Sequence, residues 1–168
     1  MSTILRIDSI AQVHEMIGHG KPRHPLITLF EPAKTNFDPG SLIDVPIVSS
    51  LYSISLKNGH ECVVRYGRQS YDFQEGSLIF LAPEQRIVPL GPGDDAHGSW
   101  NGWVLLFDPE LLRGSALGES IRRYSFFGYD SHEALHISEE ERHKVTGIAE
   151  TIREEYEKNL DDFSAELI

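Results

Sequence analysis

The sequence predicts a mainly β fold, a small barrel or sandwich of short antiparallel strands followed by helices. Three observations carry this. Between residues 26 and 107, six or seven apolar or alternating runs succeed one another with little but turn signals between them, the pattern of a barrel or sandwich. Turns so close together leave no room for the helical crossovers of a parallel sheet. After Asp108 the apolar spacing changes to that of a helix.

The chain opens with Ile10, Val13 and Ile17 at roughly helical spacing behind Asp8 or Ser9 as cap, and Gly18 and Gly20 end that segment. Lys21-Pro-Arg-His-Pro25 cannot be helix interior, because each proline lacks a donor and restricts the residue before it. Leu26 to Phe30 is a short apolar strand. Val48 to Leu56 alternates, with Val48, Tyr52, Ile54 and Leu56 on one face and Ser49, Ser53 and Ser55 on the other, as in a half-buried strand. Cys62 to Tyr66 and Tyr71 to Phe73 flank Gly67-Arg-Gln-Ser70 and read as a hairpin. Glu75-Gly76 turns into a strand from Ser77 to Ala82, closed by Pro83. Gln85 to Leu90 adds another, before Gly91-Pro-Gly-Asp-Asp95 breaks the pattern. Trp100 to Phe107 puts Trp103, Leu105 and Phe107 on one side and Val104 and Leu106 on the other.

Asp108 then caps a helix with Pro109 at its first position, and Leu111, Leu112, Leu117 and Ile121 follow at helical spacing. Ala134 to Ile137 is a short strand. Ser138 and Glu141 form a capping box, opening a helix whose stripe is Val145, Ile148, Ala149, Ile152 and Tyr156. Asn159 to Asp162 breaks it, and the apolar-spaced turn from Phe163 to Ile168 is too short to be a stable helix alone. The expectation is therefore a fragment cut within or just before a helix. Residues 1–107 form the β unit with an N-terminal arm, and residues 108–168 form its helical extension.

At 168 residues, 40% hydrophobic and 24% charged, the composition is that of one ordinary globular domain. No stretch approaches the roughly 20 apolar residues that span a bilayer, and Met1 to Ser9 holds no apolar block of a signal peptide. Cys62, the single cysteine, excludes a disulfide within the chain. A cytoplasmic protein with no membrane partner is expected. Net charge is −11. A duplex-binding face is normally basic, so this unit is not expected to touch DNA itself. Much of the acidity lies between Ser138 and Asp162, as befits a solvated helix face.

No catalytic constellation emerges. A metal site on such a fold needs His-x-His and a carboxylate on one strand and a further His on a later one. Of the eight histidines no two are separated by one residue. His132 and His136 stand four apart, but in loop and strand. There is no Gly-x-Ser-x-Gly elbow, and Cys62 sits in an apolar strand. Gly91-Pro-Gly93 leads into two aspartates, which would repel phosphate. No catalytic residue, metal or cofactor is expected.

Aromatic rings and a few cations on the strands offer a small-molecule pocket instead. The candidates are Tyr52, Tyr66, Phe80 and Trp103, with Arg65 and Arg86 able to hold an anionic group in two-pronged fashion. The plain alternative makes the rings core and the arginines solvent-facing. A one-residue slip reverses every strand face, so alternation by itself does not separate the two.

The segment Arg65 to Gln85, RYGRQSYDFQEGSLIFLAPEQ, resembles the hairpin and following strand of the N-terminal domain of AraC-type transcription regulators. Tyr71, Phe73, Gly76, Leu78, Phe80 and Pro83 match that family's Tyr-x-Leu/Phe-x-x-Gly-x-Leu-x-Phe-x-x-Pro pattern. The opening Ile10 to Ile27, Trp103 to Phe107 with Asp-Pro-Glu-Leu-Leu, and Tyr124 to Phe127 look like one of its subgroups. The resemblance implies a metal-free, cupin-like (double-stranded β-helix or jelly-roll) barrel followed by two or three α-helices. It implies a small-molecule effector, a homodimer, and DNA contact only through a C-terminal helix-turn-helix domain that this sequence lacks. By the same analogy Val145, Ile148, Ile152 and Tyr156 are candidates for dimerisation, unless the stripe packs on the chain's own strands. The competing expectation is a stand-alone cupin enzyme, an isomerase or lyase, since folds of this kind often carry chemistry.

Overall fold

Leu5-Arg-Ile7, too short to show any period, forms the first strand, β1, before Ser9 caps helix α1 (Ile10–Met16) through the Gln12 amide. The computed structural model describes residues 4–58, 62–66, 69–73, 76–89, 101–127 and 135–158, with the backbone alone for 62–66 and 69–73. The remaining strands are β2 (Ile27–Phe30), β3 (Ile47–Ser49), β4 (Tyr52–Asn58), β5 (Cys62–Tyr66), β6 (Gln69–Phe73), β7 (Ser77–Leu81), β8 (Arg86–Pro89), β9 (Asn101–Phe107) and β10 (Leu135–His136). Helix α2 is Ala116–Ser120 and α3 is Glu139–Glu157. Among the described residues the strands make two five-stranded sheets, ordered β1-β3-β8-β5-β6 and β10-β7-β4-β9-β2. Every pairing is antiparallel except β1 with β3. The fold is thus mainly β, with one short helix near the start and the others after β9.

Two expected elements are divided. The alternation from Val48 to Leu56 belongs to two strands in different sheets, β3 and β4. The Ser49 hydroxyl accepts the Leu51 amide at 3.1 Å, and Ser50 donates to the Ile7 carbonyl at 2.9 Å. That turn carries the chain across, and Leu51 is buried under α1. Val48 therefore does not share a face with Tyr52. The helix expected from Asp108 is also broken. Asp108 caps as anticipated, accepting from the Glu110 amide, but only a 3₁₀ turn over Pro109–Leu112 follows. Gly114 then takes a left-handed φ of 76°, and Ser115 caps the short α2 anew. The capping box of α3 forms in both directions between Ser138 and Glu141.

The main core lies between one face of the β4-containing sheet and the late helical segments. Leu29, Tyr52, Leu56, Leu78, Trp103, Leu105 and Phe107 meet Leu111, Ile121, Phe127, Ala149 and Tyr156 there. A smaller core under α1 joins Ile10, Val13, Ile17 and Leu51, with Phe30 and Leu106 against them. No helix among the described residues is long and apolar enough to cross a membrane. The segments at 91–95 and 163–168 lie outside the described residues.

Candidate functional site

The central strands of the β10-β7-β4-β9-β2 sheet carry buried side chains on both faces, and the two faces differ in chemistry. Cross-strand register gives each row. On the helix-facing side, Ile27 aligns with Phe107 and Tyr52, Leu29 with Leu105, Ile54 and Phe80, and Trp103 with Leu56, Leu78 and Leu135. On the opposite side Thr28 aligns with Leu106, Ser53 and Leu81, and Phe30 with Val104, Ser55 and Ile79. The last row there is Gly102, Lys57, Ser77 and His136. On this second side Thr28, Ser53, Ser55, Lys57 and Ser77 are 3, 8, 6, 2 and 0% exposed. Of the described elements, α1 covers the Thr28 end.

Ser53, Ser55 and Lys57 run down the central strand of that sheet. Burying hydroxyls or an ammonium costs free energy unless each is bonded, so a packing core would carry valine or leucine at these positions. The Ser53 and Ser55 hydroxyls lie 3.4 Å apart, and Ser77 Oγ is 3.1 Å from His136 Nδ1. Lys57 keeps its ammonium buried on the same side. Gly102, beside Lys57, has φ of 132°, and a Cβ there would collide with the Leu56 carbonyl. The backbones of β4 and β9 approach too closely at that point for any side chain.

The Thr28 hydroxyl meets His14 Nε2 at 2.8 Å, while His14 Nδ1 meets the Gly20 carbonyl at 2.9 Å. A carbonyl only accepts, so Nδ1 carries the hydrogen, and in the neutral ring Nε2 accepts from Thr28. His24, buried nearby in sequence, accepts the Leu26 amide at Nδ1. Burial holds its pKa below the ordinary 6.5.

Three of the residues expected to line a pocket belong to the main core. Tyr52, Phe80 and Trp103 occupy the helix-facing side. Tyr52 stacks on Phe107 at 5.2 Å between ring centres and meets Phe127 edge-on at 5.1 Å, and Phe80 meets the Phe127 edge at 5.5 Å. Trp103 Nε1 donates to Thr146 of α3 at 3.1 Å. These rings are the mortar between sheet and helices. Arg86 is exposed. Arg65 pairs in register with Val88 and Ser70, and Tyr66 with Ile87 and Gln69, but their side chains lie outside the described residues. Of the α3 stripe, Val145, Ile152 and Tyr156 pack on the chain's own sheet, and Ile148 alone is left 61% exposed.

The polar face was visible in the sequence as Ser-x-Ser-x-Lys on alternate positions of β4. Period two reads the same whether the polar side is wet or dry, so burial was the missing signal. Among the described residues no group of three His, Cys, Asp or Glu is placed to hold a metal ion. In comparison with known proteins, the chain matches no family model and no curated sequence.

Proposed function

We propose that the chain is the effector-binding domain of a transcription regulator of the AraC type, and not a catalyst. In this reading the two sheets close as a cupin-like barrel without a metal, and a small polar molecule sits against the Ser53, Ser55 and Lys57 face. The observation that carries it is the buried polar stripe on a central strand, where small hydroxylated side chains replace the bulk a packed core requires. Such groups supply the few directed hydrogen bonds that orient a small ligand. A net charge of −11 suits a unit that leaves phosphate contacts to a separate basic helix-turn-helix segment. The homodimer implied by this reading would use the outward side of α3, where Ile148 is exposed.

The test is thermal denaturation of the chain against a panel of small polar metabolites, with Ser55→Val alongside. At least one compound should raise the melting temperature of the parent chain. Ser55→Val should fold, melt within a few degrees of the parent without ligand, and lose that rise. A panel with no effect, or a shift that survives Ser55→Val, removes the site. Gel-shift measurements with the complete gene product then decide the regulator class, and failure to retain promoter DNA would count against it.

A further inference from the structure

We infer that strand β2 couples helix α1 to helix α3, so that the two helices tighten and loosen together. Strand β2 has four residues and, among the described strands, lies at the edge of its sheet, paired to β9. Two adjacent residues of it hold the two helices. The Thr28 side chain, on the polar face, is hydrogen-bonded to His14 of α1 at 2.8 Å. The Leu29 backbone, on the open edge, belongs to α3: its N–H donates to the Tyr156 hydroxyl at 2.9 Å, and that hydroxyl donates back to its carbonyl at 3.4 Å.

A single hydroxyl thus meets both backbone groups that Leu29 turns to the edge. Tyr156 is 4% exposed, so water does not replace it. His14 in turn bonds the Gly20 carbonyl and accepts the His19 amide on its own carbonyl, which ties the end of α1 to the same contact. A shift of β2 acts on both contacts, because Thr28 and Leu29 share a peptide bond and the Thr28 side chain also interacts with the Tyr156 hydroxyl. Coupling of this kind is reciprocal: loosening either helix loosens the other.

The inference deepens the sensing reading, on which its biological use rests. A molecule on the polar face beside Thr28 would compete with His14, and the change would arrive at Tyr156, 142 positions along the chain from His14. The physical coupling is measurable with no ligand at all.

Amide hydrogen exchange on the intact chain tests it. Thr28→Val should speed exchange about fivefold or more at Ile17 and His19, the scale expected for one lost net hydrogen bond, and equally at Leu29 and over residues 152–157. Tyr156→Phe should do the same to α1, to which Tyr156 is linked through β2. Thr28→Ser, which keeps the hydroxyl, should restore parent rates at both helices. Ser138→Ala should fray only the first turn of α3 and leave α1 unchanged. Changes confined to the substituted element overturn the proposal, as does an α1 response to Ser138→Ala equal to that of Tyr156→Phe, which would mean general destabilisation. Circular dichroism confirms that each variant is folded, and the conservative Thr28→Ser and Thr28→Val pair carries the test if Tyr156→Phe is not. Because no ligand is present, a negative result removes the coupling and leaves the effector reading to its own titration.

Discussion

His24 shows how much a single ring can report. Its Nδ1 accepts a backbone amide and the residue is 5% exposed, so burial disfavours the charged ring and lowers its pKa from 6.5. The unfolded chain therefore binds the proton more tightly. Stability from this residue is complete above pH 6.5 and is lost as the pH falls from there through the depressed folded value. Urea midpoints for the parent should drop between pH 7 and pH 5, and His24→Asn should flatten that part of the curve. An unchanged slope in the variant would mean that other groups set it. Tyr156 works in the opposite sense: burial raises its phenol, so its contribution holds at neutral pH and fades only as the pH climbs past the ordinary 10.0. Exposed pairs such as Lys144 with Glu140 and Lys158 with Glu155 add little at either end, because solvent screens them.

Among the elements, β4 and β9 are the pair on which both faces depend. Gly102 sits in their closest approach with a φ that suits glycine, so Gly102→Ala must both strain the backbone and push the strands apart. A loss of more than about 2 kcal/mol is expected in chemical denaturation, well above the usual surface substitution. A smaller loss would show that the strand can shift to make room. These elements also mark what the sequence could and could not disclose. Hairpin β5–β6, strand β7 and helix α3 were legible because each carries its own local signals, such as the Ser138 and Glu141 box. The division between β3 and β4 was not, since the Ser49-Ser50-Leu51 turn continues an alternation instead of interrupting it. The helix after Asp108 was misjudged because a good cap says nothing of how far a helix runs, and Gly114 ended it. For Tyr52, Phe80 and Trp103 the outcome turned on parity. Tyr52 and Ser53 were correctly placed on opposite faces, but aromatic rings went to the helix interface, where the largest apolar area needed filling, and the small hydroxyls went to the other side.

For the whole molecule, the helical segments are the second wall of the main core and hold the sheet together, with Phe127, Ala149 and Tyr156 as its outer layer. Removing that wall would do more than loosen α3. Strand β2 would then offer an open row of amides and carbonyls flanked by Ile27 and Leu29, the kind of bare border that recruits strands from other molecules. A chain ended after residue 150 should form aggregates that elute early in gel filtration and bind thioflavin, whereas the parent should not. If the shortened chain stays monodisperse, the border is protected by something other than the tyrosine. The Tyr156 hydroxyl, a latch within one molecule, would then also be a safeguard between molecules: it keeps one sheet from growing onto another.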